Sequence, residues 1–490
     1  MFDDAEKTDT TELSKEYRLL DTQLSELVNY YKEIDVDDGQ ILEMCQLELL
    51  RIATMNLSGY DASIAQNNVQ EALWSMQGIE TAIKAFEAYT INNYPALLSY
   101  KEVLRSINKA KSFLKSDTRY DTFDRLKFIT AYARPLHSGF IRFHNDCKLP
   151  WDNRKSALNL QEDFLSARSF NKQYFSIYYE DSLNLDLQAE LGKKLFFEPG
   201  MSGNNLKSCA SCHNPQLAFT DGKAKSISFD DSQTLERNAP TLLNVIYQKA
   251  FFQDGRAYQL EQQIFDVIHN QKEMSSNLKD IAEKLAQKEE YQKLFKSAFS
   301  GTADTAISPY GIQKAIAEYE KTLVSFNSPF DDYLKGNTKA LKREEIHGYN
   351  LFSGKALCGS CHFSPLFNGT VPPFYNDSEF EVLGVPKQAN NKKLDADPGR
   401  FTVTQIKEHK HAFKTPTLRN IALTAPYMHN GVYSSLEEVV EFYHKGGGAG
   451  LGFSVPNQTL PFDSLKLSAT EKRDIVLFMK SLTDKAYAKQ

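Results

Sequence analysis

The amino-acid sequence predicts a mainly α protein in which a helical N-terminal bundle precedes two loop-rich blocks. Three observations carry that expectation. From about residue 14 to 165, apolar residues recur at helical spacing and glycine is nearly absent. Beyond about residue 185, glycine, proline and asparagine rise, and short helical stretches alternate with long loops. Each loop-rich block also holds one compact cysteine–histidine cluster. At roughly 100–200 residues per domain, the 490 residues suggest about three domains. The pattern divides them at 1–170, 171–335 and 336–490.

Taken in order, Leu19, Leu20, Leu24, Leu27 and Val28 fall at helical spacing, as do Leu42, Leu47, Leu50 and Ile52. Trp74, Met76, Ile79, Ile83 and Phe86 form a further stripe. All three read as bundle core. His137 and His144 lie seven apart and read as structural histidines. Cys45 and Cys147 stay open between a disulfide, two buried thiols and an incidental pair. Residues 279–299 and 309–326 read as amphipathic helices joining the two loop-rich blocks. Ser435-Leu436-Glu437-Glu438 is a capping-box start, and Gly446 onward ends that helix. Its spacing puts Leu436, Val439, Val440 and Tyr443 on one face, so Tyr443 should point inward.

Composition excludes several classes. A formal charge of −6 argues against nucleic acid as a partner, since a general nucleic-acid binder carries a basic face. No run approaches the roughly 18 apolar residues of a membrane span, so no transmembrane segment is expected. The first fifty residues carry 14 acidic and 4 basic residues and no apolar stretch, unlike a secretory leader. Six cysteines are too few for a disulfide scaffold at this length.

The cysteines carry the chemistry instead. Cys209-Ala210-Ser211-Cys212-His213 and Cys358-Gly359-Ser360-Cys361-His362 are both C-x-x-C-H, the attachment signature of c-type haem. Two thiols three positions apart can form thioethers with the two vinyl groups of one porphyrin edge, and the adjacent histidine reaches the iron. Zinc would need further ligands at short spacing, and the other two cysteines lie far upstream. Two covalently bound haem c groups are therefore expected, and the second and third domains become c-type cytochrome domains. Covalent haem attachment normally takes place outside the bacterial cytoplasmic membrane. The chain is accordingly expected to be periplasmic or otherwise exported, its leader already removed.

Around these motifs the sequence resembles the bacterial dihaem cytochrome c peroxidases and the MauG-like enzymes of the same superfamily. The resemblance rests on Leu195-Phe196-Phe197, Met201-Ser202-Gly203, the run from Ser208 to Asp221, Arg237-Asn238-Ala239-Pro240-Thr241, Asp254-Gly255-Arg256-Ala257 and Glu273-Met274. In the second half it rests on the runs Phe413 to Asn420 and Thr424 to Gly431. It covers about 185–485 and leaves residues 1–165 unexplained.

The resemblance implies that the first haem is the peroxide site and the second receives electrons. By position His213 and His362 are the proximal ligands, Gln263 matches the distal glutamine and Glu273 the acid–base glutamate. A carboxylate there moves a proton between the peroxide oxygens so that water can leave. Many such peroxidases carry a histidine that blocks the first iron until reduction, but no histidine lies between His213 and His269. The first haem is therefore expected to be open, with His269 placed elsewhere. At the second haem, Met428, His429, Tyr443 and His444 are the candidates for the sixth ligand, and the matching position is Tyr443. A phenolate there would lower the potential, whereas methionine raises it. The relatives' inter-haem tryptophan is Gln253 here, and the only tryptophans are Trp74 and Trp151. The resemblance further implies a calcium ion held by Asn238, Thr424 and Pro426, and haem-propionate contacts from Arg256 and Arg419.

The function so implied is reduction of hydrogen peroxide to water, with electrons from a small cytochrome or cupredoxin. The alternative is a MauG-like oxidase that modifies a protein substrate through a high-valent haem state. Relatives are often dimers, so a homodimer fits the resemblance.

Overall fold

The computed structural model describes residues 10–62, 65–152, 156–175, 183–301 and 306–488. Six helices form the N-terminal region: α1 (Thr10–Glu33), α2 (Asp38–Arg51), α3 (Asn68–Lys84), α4 (Tyr94–Ser116), α5 (Arg125–Phe128) and α6 (Arg134–Asp146). The first loop-rich block holds α7 (Leu185–Phe196), α8 (Leu260–His269), α9 (Leu278–Ala286), α10 (Glu289–Ala298) and α11 (Pro309–Glu320). The second holds α12 (Pro329–Leu334), α13 (Arg343–Phe352), α14 (Phe401–Thr404), α15 (Leu436–His444), α16 (Gly447–Gly450) and α17 (Ala469–Ser481). One two-stranded antiparallel sheet pairs β1 (Phe380–Val382) with β2 (Ala412–Lys414), in the register Phe380 to Lys414. Among the described residues no helix is long and apolar enough to cross a membrane.

Local chemistry sets the helix starts. The Asp37 carboxylate accepts from Gln40 N at 2.9 Å while Gln40 Oε1 accepts from Asp37 N, closing a capping box at α2. The same device opens α15 at Ser435 and Glu438, and Gly446 ends that helix with φ +86°, where a side chain would be strained.

The second and third stripes of the N-terminal region largely find the core. Leu42, Leu50, Ile52, Met76, Ile79, Ile83 and Phe86 are buried. The first stripe does not: Leu19, Leu20, Leu24, Leu27 and Val28, expected in the bundle core, lie on α1, whose residues 11–33 are all exposed. Trp74 is likewise 58 % exposed. Periodicity fixes that a helix has an apolar face, but not whether another element covers it. Cys45 and Cys147 are free, buried thiols, which resolves their open pairing. Burial pushes them up to about 12 and about 11, so neither is a ready nucleophile. His137 and His144 are buried beside Phe164 and Trp151 at 4.9 and 3.7 Å between ring centres, as structural histidines.

The N-terminal helices share one continuous hydrophobic core with the second loop-rich block, while the first block has its own. A π-helical turn over Ile52–Asn56 extends α2 toward the Cys358–Ser360 turn. A Cβ on Gly359 would meet Ser58 Cβ at 3.2 Å. Asn350 Nδ2 donates to Asp124 Oδ1 at 2.9 Å while its Oδ1 accepts from Leu126 N at 3.0 Å. Tyr60 donates to Glu379 Oε1 at 2.8 Å and meets Phe363 edge-on at 5.2 Å. The N-terminal region thus backs the second C-x-x-C-H turn.

Candidate dihaem site

Both C-x-x-C-H motifs open onto one cavity of about 1280 Å³, larger than the roughly 300–1,000 Å³ of most ligand sites. Cys209, Cys212 and His213 line one end, and Cys358, Cys361 and His362 the other. Each motif forms a single tight turn, Cys209–Ser211 and Cys358–Ser360. Ser208 and Ser211 cap the first, and Leu357 with φ +56° leads into the second.

The histidines are oriented from behind. His213 Nδ1 lies 3.1 Å from the Phe219 carbonyl, and His362 Nδ1 lies 3.0 and 3.2 Å from the Pro416 and Phe367 carbonyls. A carbonyl at Nδ1 fixes the proton there and leaves Nε2 as the basic, metal-ready nitrogen. Burial lowers both rings, His362 to about 4, so both are neutral at physiological pH. The residues present therefore fit two tethered haems: paired thiols, an oriented imidazole and a largely apolar cavity at each end.

The two ends repeat the same supports, which sequence reading missed. Asn238-Ala239-Pro240-Thr241-Leu242-Leu243-Asn244 and Lys414-Thr415-Pro416-Thr417-Leu418-Arg419-Asn420 follow the two motifs. Thr241 Oγ1 donates to the Ala218 carbonyl at 2.6 Å, and Thr417 Oγ1 to the Leu366 carbonyl at 2.8 Å. Asn244 and Asn420 both sit at positive φ, and their amides bind the Ser325 segment from either side. The shared P-T-L-x-N pattern was the signal that would have found the repeat. Helix pairs α7/α11 and α13/α17 frame the two ends. A Cβ on Gly192 would lie 1.8 Å from the Ala315 carbonyl oxygen, and one on Gly348 2.0 Å from that of Asp474.

Gln263 on α8 and Glu273 in the following loop both line the cavity at the first end. Burial raises the Glu273 carboxyl, while Arg256 and the Asn270 amide, 2.8 Å away, pull it back down. His269 does not line the cavity; its ring stacks on Phe265 at 4.0 Å with Nδ1 2.8 Å from the Phe265 carbonyl. At the second end Leu436, Val439, Val440 and Tyr443 all line the cavity, as the spacing on α15 required. Burial raises the Tyr443 phenol, followed by the neighbouring thiols of Cys358 and Cys361, which stand here for thioether sulfurs, and by Glu381. Met428 and His429 also line the cavity, but the His429 ring stacks flat on Phe413 at 3.8 Å and its Nε2 lies 3.3 Å from Asp395.

The two predicted arginines separate. Arg256 lines the cavity, its guanidinium 3.4 Å from the Phe252 ring centre and bonded to both Asp254 oxygens. Arg419 does not: it is 1 % exposed and pairs bidentately with Asp331 at 2.8 and 3.0 Å. Its expected propionate contact is thus replaced by a buried ion pair, because the chain turns its side chain into the core behind the P-T-L-x-N loop. Besides Arg256, the cationic groups that line the cavity are Arg237, Lys207, Lys225, Lys272, Lys387 and Lys414. Arg237 bridges Asp254 and Asp397, while Lys414 is bonded to Gln248 and the Ala250 carbonyl. Glu320 also faces the cavity, raised to about 8 by burial and by Glu261, with Oε2 unpartnered among the described residues.

Between the ends, Gln253 Nε2 donates to the Asn238 carbonyl at 2.8 Å, and Lys414 N donates to the Gln253 carbonyl at 2.7 Å. Asn238, Thr424 and Pro426 come together on this wall, with the Asn238 amide 3.4 Å from the Pro426 carbonyl.

A mainly helical fold with two C-x-x-C-H turns facing one cavity defines a dihaem c-type cytochrome. Sequence comparison agrees: the profile described as "Di-haem cytochrome c peroxidase" matches residues 186–339. The chain is 35 % identical over 292 residues to methylamine utilization protein MauG of Methylorubrum extorquens, covering 60 % of this chain and 77 % of that protein. It is 42 % identical over 259 residues to cytochrome c551 peroxidase of Nitrosomonas europaea, covering 53 % of this chain and 72 % of that one. A MauG-like protein associated with microbial copper homeostasis aligns with a TM-score of 0.53 at 29 % identity, over 62 % of this chain and 91 % of the other. The chain belongs to the di-haem cytochrome c peroxidase family.

Proposed function

We propose that this chain reduces hydrogen peroxide to water at its first haem, using electrons that an external donor delivers through the second. The observation that carries the reading is a carboxylate, Glu273, that lines with Gln263 the cavity end of Cys209, Cys212 and His213, while His269 lies outside the lining. A pure electron carrier has no use for such a group. When bound, haem iron supplies the electrons and the site at which peroxide is held. Glu273 would take a proton from one peroxide oxygen and return it to the other, so that one oxygen leaves as water, and two electrons from the donor with two protons would carry the remaining oxygen to a second water. Gln263 orients the peroxide by hydrogen bonding. Cys209 and Cys212 tether the first haem and Cys358 and Cys361 the second, while His213 and His362 hold the irons. Arg256 balances the charge at Glu273.

Tyr443 favours a second reading. With His362 holding the second iron, a Tyr443 phenolate serving as a further ligand would stabilise its oxidised state. That suits an enzyme that stores oxidising equivalents and withdraws electrons from a protein substrate, as the resemblance to MauG suggests. Asn238 Oδ1 and the Thr424 and Pro426 carbonyls are hard oxygen donors of the kind calcium takes, and a calcium ion there would brace the wall between the haems. Covalent haem attachment supports an exported, periplasmic protein, and a small cytochrome or cupredoxin as donor rests on the resemblance to the peroxidases.

Steady-state peroxide turnover with a reduced small cytochrome or a dye donor tests the choice. Glu273→Gln should lower turnover by about 10²–10⁴-fold with both haem spectra unchanged. Negligible wild-type turnover, with a long-lived oxidised species after peroxide, would replace the peroxidase reading with the oxidase one.

A further inference from the structure

Helix α1 presents apolar side chains that none of the described residues covers. Residues 11–35 are all exposed. Leu13, Tyr17, Leu20, Leu24, Leu27 and Tyr31 are 48–70 % exposed, although a soluble surface rarely leaves large apolar groups in a continuous row. Their spacing runs four, three, four, three, four. That is an unbroken heptad seam, with Leu13, Leu20 and Leu27 at one core position and Tyr17, Leu24 and Tyr31 at the other. Leu19, Val28 and Tyr30 flank the seam at 52–62 % exposure, so it is the regular alternation of four and three, not the width of the apolar face, that marks a coiled coil.

We infer that α1 is the surface through which two copies of this chain associate, as an antiparallel two-stranded coiled coil. The 24 residues of α1 give a rod about 36 Å long, enough for three heptads. At their observed exposure the six seam side chains offer on the order of 600 Å² per helix, so a pair reaches about 1,200 Å², the lower range of stable interfaces. Charge chooses the orientation. A parallel pair would set Glu16 of each helix against Asp21 of the other, acid against acid. The antiparallel pair parts them, with Glu16 beside Gln23 and Tyr30, and leaves a single acid–acid approach, Asp21 against its own counterpart, in place of two. Neither the cavity nor the haem attachment enters the inference, so it stands or falls independently of the peroxidase reading.

Sedimentation velocity of the full-length holoprotein over a concentration series tests it. The wild type should dimerise reversibly, and Leu24→Lys, which places a charge in the seam, should weaken the dimer by on the order of 100-fold or more. Leu19→Lys removes an equally exposed leucine outside the seam and should change the dissociation constant by less than about threefold. Both variants alter only exposed side chains, and unchanged haem spectra would verify intact folding. A wild type monomeric at every concentration overturns the inference, as does a dimer that survives Leu24→Lys. Equal loss in the two variants overturns the seam in favour of indiscriminate apolar contact. Binding of the monomer to phosphatidylglycerol vesicles, abolished by Leu24→Lys, would assign the face to a lipid surface instead. For orientation, Leu13→Cys should form no interchain disulfide with itself; a self-cross-link overturns the antiparallel arrangement.

Discussion

The two ends of the cavity are built from the same parts and finished differently. Each has a helix pair that meets at a glycine, a C-x-x-C-H turn, a carbonyl behind the histidine, and a P-T-L-x-N loop ending in a left-handed asparagine. Over the first end lie α8 and its following loop, bringing Gln263 and Glu273; over the second lies α15, bringing three aliphatic residues and Tyr443. The repeated scaffold holds a flat tethered group in either place, and the element that crosses above it decides the chemistry. The ends also differ behind the loop, where Leu243 in one corresponds to Arg419 in the other.

That last difference gives the largest expected stability effect. Arg419→Ala leaves the Asp331 carboxylate buried and unpaired, and should cost about 3–5 kcal/mol in denaturant unfolding of the holoprotein. Burial alone would raise the Asp331 carboxyl, but Arg419 and Ser328 overrule it and hold it below its usual range. A group with a depressed folded pKa contributes stability above its unfolded pKa and loses it as pH falls through the folded one. The gap between wild type and variant should therefore narrow in acid; a gap that widened there would assign Arg419 another partner.

The glycine contacts test the likeness of the ends. Gly192→Ala and Gly348→Ala each push a methyl into a carbonyl of the facing helix and should each cost about 1–3 kcal/mol. A neutral result at one position alone would break the equivalence of the two helix pairs.

A pH profile sharpens the contrast in chemistry. Burial raises Glu273, so the acid limb of kcat/KM for peroxide should lie above the ordinary glutamate range and vanish in Glu273→Gln. A limb at the ordinary carboxylate position would assign the proton transfer elsewhere. The smallest effect belongs to the N-terminal contact over the second end. Tyr60→Phe removes one hydrogen bond to Glu379 and should cost about 0.5–1.5 kcal/mol without changing peroxide turnover.

Legibility followed the range of the interaction. Cys209, Cys212, His213 and their counterparts are read from five consecutive residues, because haem attachment requires adjacent groups. The inward position of Tyr443 was equally legible, since three residues of one short helix share its face. Arg419 was misread because its sequence neighbourhood resembles a haem-binding loop, while its partner Asp331 lies 88 residues upstream. Glu320 and Lys414 were passed over, because nothing in their neighbourhoods announces a cavity wall; only the facing elements make them buried ionisable groups. The exposure of α1 was missed for the opposite reason, as an apolar row looks the same whether its cover is a neighbouring helix or another molecule.

The resemblance to the dihaem family supplied the acid–base candidate; by itself, the sequence determined the helical class, the two tethering motifs and the inward tyrosine. Each depends on residues within one turn or one helix, where covalent geometry and periodicity leave little freedom. The tertiary structure alone decided that both motifs share one cavity, that the N-terminal helices and the second block share one core, and that Arg419 faces Asp331. Those outcomes depend on which distant segments bury each other's apolar surface and satisfy each other's charges, a choice that no local stretch of chain contains.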